Sequence, residues 1–266
     1  QIEIDTRNPS ADDNIMFAAV ILGGTRATNA VDVTISLHSS PAGAEERAPY
    51  EEIIRNFADA VYEESNGAHK IGIVTFYTGG ANSTTANIRW VALEQPMAPP
   101  SGYFVAGHQI SMGDVFTGTN FLADPTSQKE GGYTLGHEFG HYYYGLYDEY
   151  QACPKDEAEQ KQWAALTYMP HCDDDPVPFS IMNSQWNATN PFALFPNRWL
   201  NFSTAKAVGD RDAENTAQLR VYGTDAWHTL LRPVELDPCV KDVVASWRRH
   251  SMPELAAVAP EADSYP

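Results

Sequence analysis

The sequence predicts an α+β fold: a mixed, twisted sheet covered by helices on at least one face, followed by a loop-rich region. Three observations carry this. Strand-like and helix-like hydrophobic periods alternate over roughly the first half of the chain. From Asp148 to Asn197 periodicity gives way to a stretch rich in Pro, Asp, Asn and aromatic residues. A content of 43% hydrophobic and 11% aromatic residues in 266 positions is enough to close a sizeable core, so most of the chain is expected to fold.

Taken in order, residues 15–22 form an unbroken apolar run that reads as a buried strand. Val31, Val33, Ile35 and Leu37 then alternate with Asp32, Thr34, Ser36 and His38, the pattern of a half-buried strand. From Pro49 the period becomes helical, with Ile53, Ile54, Phe57, Val61 and Tyr62 on one face, and Asn66 and Gly67 stop it. Residues 70–77 return to strand character, 79–85 are turn-rich, and Ile88–Leu93 and 103–110 are two further strands. A helix is expected from near Gly132 through His141 to about Tyr144. Beyond it, helical spacing returns only at 157–166 and at 240–249, where Val240, Val243, Val244 and Trp247 share a face. The organisation expected is one domain over 1–250, with an N-terminal lobe of about 1–145 and a C-terminal lobe of about 146–250, and a Pro-, Ala- and acid-rich tail over 251–266.

Charge removes some function classes. Seventeen Lys and Arg against 35 Asp and Glu leave a net charge of −18, with no basic footprint for nucleic acid. The run at 15–22 is far short of the roughly 20 residues that cross a bilayer, so no membrane span is expected. Gln1, without an initiator Met or a leader, suits a processed form or an excised domain. Of three cysteines, Cys153 and Cys172 bracket one polar segment and Cys239 stands apart. A Cys153–Cys172 bridge would imply an oxidising compartment, and buried free thiols are the alternative. Asp173, Asp174 and Asp175 could hold a structural Ca²⁺, although a solvated acidic loop is the simpler reading. The tripeptides beginning at Asn82, Asn187 and Asn201 match N-glycosylation acceptors, which matters only in a secreting eukaryote.

The informative segment runs from His137 to Tyr150. His137 and His141 are four apart, so on a helix both imidazoles leave one face at a spacing suited to one tetrahedral Zn²⁺. Glu138 lies one residue on, where its carboxylate can reach activated water without ligating the metal, the place of a general base. Gly145 can break the helix by taking a left-handed conformation, and Asp148 follows as third ligand. Two imidazoles and one carboxylate leave a fourth position open, as in catalytic zinc sites. His108, His171, His228 and the hydroxyl of Tyr144 are candidates for an oxyanion donor or a supporting hydrogen bond, with core packing or solvation as the default for each.

The pattern HExxHxxxGxxDE, completed by Tyr150, resembles the zincin domain of the calcium-activated chloride channel regulator (CLCA) family and its bacterial relatives, secreted metal-dependent proteases despite their name. The likeness is strongest over 121–148 and weaker over 50–77. It is also similar to the metzincins, though one extra residue separates His141 from Gly145, which leaves Glu149 as the alternative third ligand or as a neighbour that orients the first. Ser180-Ile181-Met182-Asn183 looks like a Met-turn, so Met182 is expected beneath the metal as packing and not as a ligand.

The resemblance implies a zincin fold and a secreted or periplasmic zinc endopeptidase acting on protein or peptide. In that reading an edge strand, 103–110 or Ile88–Leu93, pairs with extended substrate, and the aromatic segment 186–199 walls a side-chain pocket. The rivals are a zinc-binding interaction protein that cleaves nothing or only itself, and a zinc hydrolase of a non-peptide amide or ester.

Overall fold

The computed structural model describes residues 28–149, 177, 179–193, 196–204, 216–231, 252 and 255. The expected strand at 15–22, the helices at 157–166 and 240–249, nearly all of the tail, the three cysteines, His171, Tyr150 and the Asp173–Asp175 cluster lie outside the described residues.

The described chain is an α+β fold built on a five-stranded mixed sheet. β1 (Asn29–Leu37), β2 (His69–Tyr77), β3 (Ile88–Leu93), β4 (Ile110–Phe116) and the two-residue β5 (Thr119–Asn120) lie in the order β2-β1-β3-β4-β5. The first four are parallel and β5 returns antiparallel to β4. Two long helices accompany them, α1 (Ala44–Glu64) and α2 (Pro125–Tyr142).

The alternation in β1 behaves as its sequence demands: Val31, Val33, Ile35 and Leu37 are all buried on one face, joined there by Ile88, Trp90, Ile110 and Met112. α1 covers this face with Tyr50, Ile53, Ile54, Phe57, Ala60 and Val61, while Tyr62 falls off the stripe and is 49% exposed. Tyr50 meets Trp90 edge-on at 5.3 Å and Phe57 meets Phe139 of α2 at 5.4 Å. Asn66 and Gly67 both take positive φ and end the helix, as expected. Its start lies at Ala44, five residues before Pro49, because the first turn is solvent-facing and carries no apolar signal.

Two expectations are corrected. Residues 103–110 are not a strand: Ser101 is left-handed, Gly102–Phe104 is a single 3₁₀ turn, and Gly107 takes φ +84°, so the ladder begins only at Ile110. The aromatic character that suggested a strand serves packing instead, with Tyr103 edge-on to Tyr142 and Tyr143. Ile88–Leu93 is a strand but not an edge, since it pairs with β1 on one side and β4 on the other.

α2 also starts earlier than expected. Asp124 accepts from the N–H of Thr126 and Ser127 with Pro125 in the first turn, an N-terminal signature that the pair Gly131-Gly132 obscured. Those glycines sit inside the helix. A Cβ on Gly132 would lie 2.7 Å from Ile53 O and 2.8 Å from Phe57 N, and one on Gly136 would lie 2.7 Å from Ala60 Cβ. The spacing Gly132, Gly136, Gly140 thus gives α2 one bare stripe. Through Gly132 and Gly136 it approaches the α1 backbone more closely than side chains permit.

Glu64, at the end of α1, is 1% exposed, and neither carboxylate oxygen has a hydrogen-bond partner. Burial raises its pKa well above the ordinary 4.5. The folded state therefore holds the proton more tightly than the unfolded state, so the cost of ionising Glu64 is absent below its unfolded pKa and grows as pH rises above it. Glu64→Met is expected to stabilise by about 1–3 kcal/mol near pH 8 and by less near pH 5. Melting temperatures at the two pH values check it, and an equal gain at both would count against the ionisation argument. Gly132→Ala forces its methyl against backbone and is expected to destabilise by about 1–3 kcal/mol, read from urea unfolding.

Candidate metal centre

From Gly131 to Tyr142 every residue of α2 is buried, polar ones included. His137, Glu138 and His141 thereby enter the interior at 6–8% exposure, where each polar atom needs a partner. The two imidazoles find theirs in backbone carbonyls: His137 Nδ1 donates to Ile181 O at 2.7 Å and His141 Nδ1 donates to Leu146 O at 2.8 Å. A carbonyl can only accept, so Nδ1 carries the proton in both rings and Nε2 of the neutral form presents a lone pair.

The chain brings a third donor to those lone pairs. α2 ends at Tyr142, and Gly145 takes φ +69° with its N–H bonded to His141 O. Three residues later Asp148 Oδ1 stands 3.3 Å from His137 Nε2 and 3.1 Å from His141 Nε2. These three residues form a group that could hold a metal ion. Two imine lone pairs and a carboxylate oxygen facing one another repel unless a proton or a cation lies between them. Burial pushes the His141 imidazole down, but Asp148 outweighs it and holds the ring up at about 9. Burial alone would raise the Asp148 carboxyl, and the two imidazoles instead keep it well below the usual carboxylate range. The Asp148 side chain is 31% exposed against 8% and 10% for the histidines, so the group opens to solvent on the carboxylate side.

Glu138 sits beside this group with Oε2 buried and unpartnered. Burial raises its pKa, the neighbouring imidazoles oppose that, Asp148 reinforces it, and the backbone N–H of Ala98 opposes it. Ala98 belongs to a segment that pairs antiparallel with β4 through Met97 and Ser111. No local signal in the sequence marked it.

Glu149 does not join the group. It is fully buried and points the other way, accepting from Ser180 Oγ at 2.5 Å, Ser203 Oγ at 2.6 Å and Ala226 N at 3.2 Å, while its own N–H donates to Met182 O at 2.8 Å. Burial lifts its carboxyl to about 7 against the pull of the two serine hydroxyls. Met182 is buried against Gly140, whose missing side chain makes room for the sulfur. The 181–182 turn thus meets both His137 and Glu149.

Other candidates lie elsewhere. Tyr144 is fully buried with its hydroxyl on His69 Nδ1 at 2.8 Å. His228 is bonded through Nδ1 to Asp225 on the short helix Ala226–Leu231. His108 contributes its carbonyl to Tyr142 OH. In the aromatic segment, Trp186 is 48% and Phe192 is 91% exposed, whereas Trp199 is buried against Phe179. Comparison with protein-family models, with curated proteins and with solved structures returned no match.

Adjacent acidic residues are expected to separate by function. Asp148→Ala should abolish stoichiometric metal binding. Glu149→Ala should retain it while losing stability by about 1–3 kcal/mol, the cost of stranding buried donors. Metal content after dialysis, set beside thermal melts, checks both; metal lost only from the Glu149 variant would reverse the assignment.

Proposed function

We propose that this chain is a zinc-dependent endopeptidase of zincin-like architecture that acts outside the cytoplasm. The observation that carries the reading is the convergence of His137 Nε2, His141 Nε2 and Asp148 Oδ1 beside a buried carboxylate, Glu138, that lacks a partner on Oε2. The donors suit zinc. Ligands about 2.0–2.1 Å from a tetrahedral Zn²⁺ stand roughly 3.3 Å apart, close to the 3.1 and 3.3 Å found here. The backbone carbonyls of Ile181 and Leu146, which fix both rings, are what such ligands require. The motif's likeness to the calcium-activated chloride channel regulator zincins and the packing of Met182 beneath α2 support the same reading.

Zinc bound there supplies Lewis acidity, polarising a carbonyl and lowering the pKa of water to about 7. The chain does the rest. His137, His141 and Asp148 hold the ion and leave one side open. Glu138, whose pKa burial raises above the ordinary carboxylate value, takes a proton from the attacking water and returns it to the leaving amine. Extended substrate is placed along the sheet border at Met97–Ala98, where the Ala98 N–H bonds Glu138, in the role that sequence had assigned to 103–110 or Ile88–Leu93.

Glu138→Gln is expected to keep about one zinc per chain and its melting temperature, and to lower casein hydrolysis at least about a hundredfold. Elemental analysis and the digestion assay are run on the same preparations. Near-normal turnover by the variant would remove Glu138 as base, and zinc without turnover in the wild type would favour an interaction protein.

A further inference from the structure

The turn that carries Asp148 to the histidines is held from outside by a helix far along the chain. α3 (Ala217–Tyr222) and α4 (Ala226–Leu231) have six residues each, too few for a helix to be stable by its own bonding. α3 meets residues 145–148 through two side chains and one backbone group. Tyr222 OH donates to Gly145 O at 2.7 Å, Gln218 Oε1 accepts from Tyr147 N at 2.9 Å, and Gln218 N donates to Asp148 O at 3.1 Å. The rings of Tyr147 and Tyr222 meet edge-on at 5.7 Å.

Those bonds fall on peptide groups whose other ends are also held. The 146–147 peptide accepts from His141 Nδ1 through its carbonyl and donates its N–H to Gln218. The 145–146 peptide accepts from Tyr222 and donates to Gly140 O, and the 148–149 peptide accepts from Gln218 N and donates to Met182 O. A planar peptide bonded at both ends cannot turn without breaking one of its bonds. Three of the four peptides between Gly145 and Glu149 are fixed in this way, each spanning from α3 to α2 or to the 181–182 turn.

Gln218 is matched to its place. It is fully buried, and its amide is satisfied on both sides, Oε1 by Tyr147 and Nε2 by Thr229 Oγ1 at 2.8 Å and Thr224 O at 3.3 Å. The Tyr147 N–H can only donate and the Thr224 carbonyl can only accept, so the orientation of the amide follows. The Thr229 hydroxyl donates in turn to Asp225 O at 2.8 Å, which ties the amide to α4. Asp148 needs such restraint. Its Oδ1 faces two imidazole lone pairs at 3.1 and 3.3 Å, and without a proton or cation between them a loosely held turn would relax by swinging the carboxylate toward solvent.

We propose that Gln218 and Tyr222 are positioning residues of the metal centre: α3 clamps the turn so that Asp148 is preorganised for the ion, and the same clamp fixes the Leu146 carbonyl that orients His141. The inference rests on the reading of His137, His141 and Asp148 as metal ligands. Neither positioning residue supplies a ligand atom. Their effect is on affinity, because ligands held in place before binding spare the ion the cost of ordering them. Linkage makes the effect mutual, so bound metal also stabilises α3.

The test is the zinc affinity of the full chain, measured at equilibrium by competition with a chromophoric chelator well below the melting temperature, beside amide hydrogen exchange with and without zinc. Gln218→Met, which keeps the length and loses the amide, is expected to weaken zinc binding at least about tenfold. Tyr222→Phe removes one hydroxyl and is expected to weaken it at least about threefold. In the wild type, zinc should slow exchange at the Tyr147 and Gln218 amides, and in Asp148→Ala it should not. A role confined to folding would lower the melting temperature of the variants and leave the zinc affinity of the folded chain unchanged. Affinities within about twofold of the wild type in both variants, or exchange at Tyr147 and Gln218 that zinc does not slow, overturn the clamp and leave the metal centre standing. A wild type that binds no zinc overturns both. Where Gln218→Met does not fold, Tyr222→Phe alone decides.

Discussion

The structure depends on the burial of one polar helix. α2 carries His137, Glu138 and His141 into the interior, and a buried polar group is tolerable only when something answers it. The responses come from separate parts of the chain. Ile181 O and Leu146 O take the two Nδ1 protons, and Asp148 faces the two Nε2 atoms. What remains unanswered is concentrated at one point, where three lone-pair donors converge beside an unpartnered carboxylate oxygen. His137, His141 and Asp148 together could hold a metal ion.

Much of the surrounding architecture serves to admit that helix. Gly132 and Gly136 let α2 lie against the backbone and small side chains of α1, and Gly140, one turn further along the same stripe, lets Met182 lie against the helix. Larger side chains at any of these positions would move the imidazoles away from the carbonyls that orient them. The adjacent pair Asp148 and Glu149 locks the remaining side. Neighbouring residues in a tight, irregular turn project in different directions, so one carboxylate reaches the histidines while the other is sunk among Ser180, Ser203 and the N–H of Ala226. The bond from Glu149 N–H to Met182 O joins the Asp148–Glu149 turn to the Ile181–Met182 turn beside α2.

The two faces of the sheet divide in chemistry as sharply as in packing. The helix-covered face is mainly apolar around a polar knot in which Asp114 accepts from Trp90 Nε1 at 2.9 Å and from Tyr50 OH at 3.3 Å and pairs with His38 Nε2 at 2.9 Å. The other face carries hydroxyls and the Arg89–Glu94 pair. The same period of two that made β1 recognisable thus separates a core from a polar face.

Sequence alone determined the features whose signal is local and periodic. The alternation of Val31, Val33, Ile35 and Leu37, the helical stripe of Ile53, Phe57 and Val61, the four-residue spacing of His137 and His141, and the break at Gly145 all follow from geometry within a few residues. Tertiary structure decided what depends on distant partners. Aromatic residues near Tyr103 read as a strand until Tyr142 and Tyr143 offered rings to pack against, and Ile88–Leu93 became an interior strand only once β1 and β4 had flanked it. Glycines that look like a helix start proved to be helix interior because α1 lies against them. The choice between Asp148 and Glu149 rested on Ser180, Ser203 and Ala226, which are 31 to 77 residues away in sequence. Chemistry along the chain named the donors, and only packing across it decided which of them face the same point.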